Sequence, residues 1–119
     1  MVLNIDITPT LLQGAGLRVP AEMQGESMMP LVHGKKPEWR KDWFYEHHYA
    51  HGGKIPESEG VRTTRWKYIR YTSAKPSVEE LYDLQKDPLE TQNLSGMAEY
   101  ADQLAELRLR WIRFRDELR

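Results

Sequence analysis

The sequence contains no cysteine, and several other features that would indicate a self-contained function are also missing. Without cysteine there is no disulfide framework, no thiolate metal site and no cysteine nucleophile. No apolar run approaches the about 20 residues of a membrane helix, and the N-terminus has no signal-peptide pattern, so we expect no membrane interaction. The serine-hydrolase elbow G-x-S-x-G, phosphate-binding loops and dinucleotide fingerprints are absent as well. These absences exclude most recognisable catalytic centres.

The composition is that of an ordinary globular domain. Of the 119 residues, 39% are hydrophobic and 29% are charged, which are usual proportions for folded proteins. The formal net charge is -1, so no electrostatic field favours nucleic acid, and we expect no nucleic-acid partner. A chain of this length can bury roughly two-thirds of its surface, which is enough for one domain.

Hydrophobic periodicity is clearest at the C-terminus and predicts a helix over 97–119. Apolar residues recur there at spacings of four and three, on one face of a helix: Tyr100, Leu104, Leu107, Trp111, Phe114 and Leu118. Acidic residues precede the arginines along this segment, which suits the helix dipole. The apolar face is short for a coiled coil, so we expect the helix to lie across a sheet.

Three segments before this helix have the β-branched and aromatic content of strands, namely 43–49, 61–72 and 79–84. The second is long enough to fold into a hairpin. A short helix is predicted near the N-terminus, capped by Thr8 and ended by Gly16, and a helical turn over 28–32 is expected to end at Gly34. Helix, strands and helix in this order predict an α+β fold.

The segment "KDPLETQNL" carries an N-terminal helix signal. Asp87 is followed by Pro88 and, three residues on, by Glu90, which is the spacing of a capping box. We interpret it as a structural helical turn.

The stretch "FYEHHYAHGG", residues 44–53, is the main candidate site. In a strand, Glu46 and His48 share one face and His47 lies on the other. His47 and His51 have the i, i+4 spacing of a zinc-binding helix, but the glycines and aromatic residues argue against a helix, so no metal ligand is expected. The cluster then suits either recognition of a polar, sugar-like ligand or a solvated sheet edge, and the pattern alone favours neither.

Basic residues alternate along the second strand segment, where Arg62, Arg65, Lys67 and Arg70 follow one another. A guanidinium group matches the geometry of sulfate or phosphate oxygens, so Arg62 is a candidate for anion contact. Alternating charges are also typical of the solvated face of a strand.

Taken together, these motifs resemble the C-terminal end of the type I, formylglycine-dependent sulfatases of the alkaline-phosphatase-like superfamily. The matching stretches, in order, are "NIDITPTLL", "MQGESMMPLVHG", "FYEH", "EGVRTTRWKYIRY" and "ELYDLQKDPLETQNL". The resemblance covers nearly the whole chain. It implies that 1–36 are the end of the large sulfatase domain with a connector, and that 37–119 are the small C-terminal subdomain, an antiparallel sheet of about four strands packed against a long terminal helix.

The same resemblance implies that the catalytic machinery belongs to another part of the parent protein. Type I sulfatases carry their nucleophile in a C-x-P-S-R or S-x-P-S-R motif of the large N-terminal domain, and no x-P-S-R occurs here. Formylglycine and the calcium ion are therefore implied for the parent only. We predict no catalytic residue in this chain and no sulfatase activity for the chain alone.

For this chain the resemblance implies a substrate-side role, beside the sulfate pocket of the missing N-terminal domain. The candidate substrate-binding residues are Glu46, His47, His48, His51 and Arg62. The ligand expected is a sulfated small molecule or saccharide, and self-association through an exposed N-terminal segment is a further expectation. A stand-alone module that binds an anionic saccharide and a purely structural domain are the alternatives. The parent's localisation stays open, with a periplasmic or secreted protein as one interpretation.

Overall fold

A computed structural model describes residues 1–48 and 55–118. The chain divides into two compact units, Met1–Arg40 and Lys41–Arg119. Within the described ranges, no helix is both long and apolar enough to cross a membrane. The domain boundary expected between residues 36 and 37 concerns the organisation of the parent protein and stays a prediction.

The first unit contains two short helices. A 3₁₀ turn at Asn4–Asp6 leads into helix α1, Ile7–Gly14, and helix α2 spans Met29–Val32. The predicted Thr8 cap is wrong, because α1 already begins at Ile7. The two predicted stops are present: Gly16 and Gly34 have φ angles of 72° and 73°, in the left-handed region that favours glycine after a helix.

The second unit is built on an antiparallel sheet of four strands in the order β1-β2-β3-β4. The strands are β1, Asp42–His47; β2, Ser58–Thr63; β3, Trp66–Tyr71; and β4, Val78–Asp83. Each strand pairs with its neighbour in sequence. The predicted hairpin is formed by β2 and β3, so the α+β fold with about four antiparallel strands is confirmed.

Residues alternate between the two faces of this sheet. The helix face bears Phe44, Glu46, Glu59, Val61, Tyr68 and Leu81, and the distal face bears Trp43, Tyr45, His47, Arg62, Lys67 and Ile69, as the strand registers require. Gly60 lies directly opposite Tyr45 on the distal face. A Cβ at Gly60 would come within 2.4 Å of the Tyr45 ring, so glycine at this position makes room for the tyrosine.

Helix α3, Ala101–Leu118, follows a 3₁₀ turn at Ala98–Tyr100 and packs on the helix face. Its residues Leu104, Leu107 and Trp111 are buried together with Val61 and Leu81 in one hydrophobic core. The predicted apolar face is thus confirmed over most of its length. Leu118 is 49% exposed, because it lies at the end of the helix, beyond the core.

Partly buried aromatic residues close the two ends of this core. Phe114 stacks on Phe44 of β1, with ring centroids 6.2 Å apart. Trp66 meets Tyr100 edge to face at 6.0 Å. Such offset and edge contacts are the arrangements that aromatic rings prefer, so the helix is fixed against the sheet at several points along its length.

The predicted capping box at Asp87 is wrong, since no helix forms there. The Asp87 carboxylate does accept a backbone amide, from Gln92 at 2.9 Å, within a turn. Glu90 has a φ of 57°, and its carboxylate bonds Lys67 of β3. A tertiary ion pair therefore takes the side chain that a capping box would have used.

Candidate functional site

The candidate residues lie on both faces of the sheet, as the strand prediction requires. Glu46 lies on the helix face with His48 beside it, just beyond the end of β1, whereas His47 and Arg62 lie on the distal face. A single ligand on one face cannot contact all four. His51 lies outside the described residues, so its proposed role, and the His47–His51 zinc spacing considered above, stay predictions.

The distal face holds a cavity of about 310 Å³, lined by Trp43, Tyr45, Arg62, Lys67 and Ile69. The rings of Trp43 and Tyr45 are tilted by 54° with centroids 5.8 Å apart. Burial raises the pKa of the Tyr45 hydroxyl well above its usual range, so this phenol stays neutral and acts as an apolar wall with a hydrogen-bonding tip.

Arg62 differs from the other basic residues of β2, β3 and their connection. The others are all paired with carboxylates: Arg65 with Asp83, Lys67 with Glu90, and Arg70 with Glu79. Arg62 donates from Nε to the backbone carbonyl of Thr63 at 3.0 Å. Across residues 1–48 and 55–118, no carboxylate forms an ion pair with it. Among these basic residues, Arg62 is therefore the one whose guanidinium group can bind an external anion.

His47 adds a second polar group to the distal face. It pairs with Ser58 across the β1–β2 ladder. Its Nε2 atom is buried and has no hydrogen-bond partner in the described part of the chain. A buried polar atom without a partner is unfavourable by about 1–3 kcal/mol. Because this nitrogen is closed to solvent, a ligand could bond it only after neighbouring groups move.

On the helix-face side, the structure brings Glu46 and His48 together with Glu59. Sequence reasoning did not select Glu59, which is 13 residues away from Glu46 but directly opposite it in the ladder. The His48 Nε2 atom lies 3.3 Å from Glu46 Oε1. Glu59 is buried, and its Oε2 accepts a hydrogen bond from Trp111 Nε1 at 2.9 Å.

A further ionic cluster joins β4 to α3 and has a structural role. The Glu79 carboxylate accepts from the Tyr68 hydroxyl at 2.7 Å and bonds the guanidinium groups of Arg70 and Arg108. Burial opposes ionisation of Glu79, but the bonds from Arg108 and Tyr68 outweigh it and lower its pKa. Burial also raises the pKa of Tyr68 to about 12. Every member of this cluster is satisfied within the fold.

The first unit contains a fully buried carboxylate, Asp6. It accepts the backbone amides of Leu3 and Glu26 at 2.8 and 2.9 Å, and Arg40 binds it through both terminal nitrogens. Burial opposes its ionisation, but these bonds lower the pKa of Asp6 to about 2. Because all its acceptor positions face donors from this chain, Asp6 organises the unit and is not a candidate ligand.

Comparison with known proteins identifies this α+β arrangement. The family of the N-sulphoglucosamine sulphohydrolase C-terminal domain matches residues 1–117. The chain belongs to this family. The resemblance to the C-terminal portion of sulfatases in the alkaline-phosphatase-like superfamily is thereby confirmed.

Individual relatives agree with this assignment. The chain is 37% identical over 110 residues to N-acetylglucosamine-6-O-sulfatase of Bacteroides thetaiotaomicron, covering 88% of the chain and 19% of that protein. It is 38% identical over 110 residues to the Delta 4,5-hexuronate-2-O-sulfatase of the same organism, covering 88% and 22%. The structure of BT4656 in complex with its substrate D-glucosamine-2-N,6-O-disulfate superposes with a TM-score of 0.81 at 31% identity, over 93% of the chain and 23% of that protein. The chain thus spans about a fifth of the length of these relatives.

Proposed function

We propose that this chain is the C-terminal part of a larger sulfatase that hydrolyses a sulfate ester of a saccharide. The family match supports the reaction class. The relatives described above act on sulfated sugars by their names, which supports the substrate class. Since the chain spans about a fifth of those relatives, the catalytic centre with its nucleophile belongs to an N-terminal domain that accompanies it.

The residues of this chain do not fit the cofactors implied for the parent. Formylglycine arises from cysteine or serine in a C-x-P-S-R or S-x-P-S-R motif, and neither motif occurs. Calcium takes six to eight oxygen ligands, and no described group of side chains offers that number. We therefore assign formylglycine and calcium to the N-terminal domain and derive no chemical step from this chain.

The contribution we propose for this chain is a substrate-contacting surface on the distal face. Arg62 carries the proposal, because its guanidinium lacks a carboxylate partner among the described residues and borders the cavity formed by Trp43 and Tyr45. Aromatic rings pack against the apolar faces of sugars, and a guanidinium group binds anionic substituents. His47 lies on the same face, and its buried Nε2 atom has no hydrogen-bond partner among the described residues.

A stand-alone module that binds an anionic saccharide is the second candidate function. The same observation supports it, because the cavity and Arg62 belong entirely to this chain. The two functions differ in what the chain does alone. A stand-alone module binds a sulfated disaccharide in the absence of any other domain, whereas a substrate-contacting surface needs the sulfate pocket of the N-terminal domain to reach measurable affinity.

The test is a set of point mutations in the complete enzyme, assayed on the natural sulfated saccharide and on a small aryl sulfate. We expect Arg62→Gln and His47→Ala to lower kcat/KM for the saccharide about ten- to a hundredfold, which corresponds to the about 1.5–3 kcal/mol of a hydrogen bond to a charged group. The aryl sulfate lacks the sugar, so its hydrolysis should change less than about threefold. Arg113→Gln, at an exposed position of α3, is the matched control.

Two outcomes would contradict this assignment. Equal losses on both substrates would move Arg62 to the sulfate pocket. A selective loss in Glu46→Gln or His48→Ala, with Arg62→Gln unaffected, would transfer the substrate-contacting surface to the helix-face side. Circular dichroism of each variant confirms beforehand that it is folded.

A further inference from the structure

Two carboxylates and one imidazole converge where β1 ends and β2 begins, on the side of the sheet opposite the proposed substrate surface. Glu46 and Glu59 are direct partners in the antiparallel ladder, and His48 lies two residues beyond Glu46. One nitrogen or oxygen atom from each of the three side chains lies within 4.8 Å of the others. Residues from two strands therefore form one group of potential metal ligands.

The distances within this group suit a small divalent ion. Zinc binds nitrogen and oxygen ligands at about 2.0–2.2 Å, so neighbouring ligands of a tetrahedral site are roughly 3.3–3.6 Å apart. His48 Nε2 and Glu46 Oε1 are separated by 3.3 Å. The side chains of these two residues are 53% and 36% exposed, so both can adjust by the small amount that closing the site on Glu59 requires.

Glu59 supplies the fixed part of the group. It is only 3% exposed, and its carboxylate is oriented by Trp111 Nε1, which belongs to the core packed by α3. A hydrogen bond of this kind from outside the ligand set orients a metal-binding carboxylate and lowers the entropic cost of binding. The Trp111 indole is not one of the three proposed ligands. Its hydrogen bond to Glu59 is therefore a separate observation from the proximity of the three side chains.

The charges of the group also favour a cation. Glu46 and Glu59 lie directly opposite each other on one face of the sheet, so a divalent ion between them would contact two carboxylates at once. Glu46 and Glu59 also interact with other groups in the folded chain, so a metal ion competes with those interactions. We therefore expect moderate affinity and a solvent-accessible fourth coordination position.

We propose that Glu46, His48 and Glu59 form a binding site for a divalent transition metal ion of the zinc class. The imidazole and the small ligand number distinguish this site from a calcium site, which takes six to eight oxygens. Carboxylate and imidazole donors without thiolate suit Zn²⁺ or Co²⁺. A bound ion would join the end of β1 to β2 and, through Trp111, to α3. The proposal does not depend on the saccharide surface, which uses the other face.

The experiment uses the untagged chain, dialysed against a chelator, and titrates it with Zn²⁺ by calorimetry and with Co²⁺ by visible absorption. We expect one equivalent to bind and the thermal unfolding midpoint to rise with metal. His48→Ala and Glu46→Gln, both at exposed positions, should weaken binding at least tenfold. Glu59→Gln keeps an oxygen that can accept from Trp111 and should also weaken binding. His33→Ala, in the first unit, is the matched control and should bind as the unsubstituted chain does.

The absence of Zn²⁺ binding in the millimolar range would overturn the proposal. Binding that survives in all three of the ligand variants, or that is lost in His33→Ala, would overturn it as well. Because the experiment needs no sulfatase activity and no N-terminal domain, its failure would leave the proposed function standing.

Discussion

At the scale of single residues, Asp6 shows how this chain accommodates a buried charge. A carboxylate taken out of water is strongly destabilising unless it is paired and hydrogen-bonded. Asp6 has both kinds of partner: two backbone amides and the guanidinium group of Arg40. The pKa of Asp6 is lowered because these contacts stabilise the ionised form by more than burial destabilises it.

This pKa predicts a pH dependence for the first unit. The folded-state pKa of about 2 lies below the about 3.9 of an unfolded aspartate. The stabilisation is therefore complete above about pH 5 and is lost as the pH falls towards 2. The difference of about two pKa units corresponds to about 2–3 kcal/mol.

Asp6→Asn isolates this contribution from those of other carboxylates. We expect the free energy of unfolding of the variant to be lower than that of the unsubstituted chain by about 2–3 kcal/mol at pH 6. The difference should nearly vanish at about pH 2. Urea titrations followed by the nuclear magnetic resonance signal of the Trp39 indole would measure it, since Trp39 belongs to the same unit. A stability difference that does not vary between pH 6 and pH 2 would show that Asp6 does not titrate as described.

At the scale of elements, the stability of the second unit depends on α3. The isolated helix has a strongly polar surface, and its buried residues are Leu104, Leu107 and Trp111. In proteins most helical stability comes from such packing and not from intrinsic propensity. Trp111 combines three contacts: burial in the core, the bond to Glu59, and the guanidinium groups of Arg70 and Arg115 over its ring.

We therefore expect Trp111→Ala to lower the free energy of unfolding by roughly 3–5 kcal/mol, as for other large-to-small changes of buried aromatic residues. Trp111→Phe keeps a ring but leaves the buried Glu59 oxygen without its donor, so a smaller loss of about 1–3 kcal/mol is expected. Leu109→Ala, at a 67% exposed position of the same helix, is the control. Urea melts followed by circular dichroism would compare them, and a loss under about 1 kcal/mol for Trp111→Ala would refute the packing role.

At the scale of the whole molecule, the first unit exposes an apolar surface on α1. Ile7 and Leu11 are 52% and 68% exposed, and their i, i+4 spacing places them on one face of the helix. Val2 and Ile5 are exposed as well. Adjacent exposed apolar residues of this kind are typical of a surface that another protein covers. We expect the N-terminal domain of the complete enzyme to cover this surface.

Isolated from the parent, the chain should self-associate through this surface. Light scattering of the 14.0 kDa chain is expected to give a mass above that of the monomer and to return to it in Leu11→Glu. Leu89→Glu introduces the same charge at an 82% exposed position of the second unit and should leave the mass unchanged. If the unsubstituted chain is monomeric in this experiment, the prediction of self-association is wrong.

The fold was largely predictable because its signals are local. The spacing of Leu104, Leu107 and Trp111 predicts an amphipathic helix, and the period of two along β1 is sufficient to place Glu46 and His47 on opposite faces. The capping-box prediction at Asp87 was wrong because it took no account of a long-range contact. Its spacing is that of a capping box, but the Glu90 side chain pairs with Lys67, 23 residues away, a contact that the spacing does not reveal.

The order of the sequence motifs was enough to predict the class of this protein, because that order resembles one family. Which candidate residues lie close together depends on the tertiary structure. Glu59 joins Glu46 only through the register of β1 and β2, and Arg62 is distinguished only because its basic neighbours find carboxylates. Both facts depend on contacts between residues that are distant in sequence. They could not be predicted from periodicity and spacing, because these patterns relate only residues that are close in sequence.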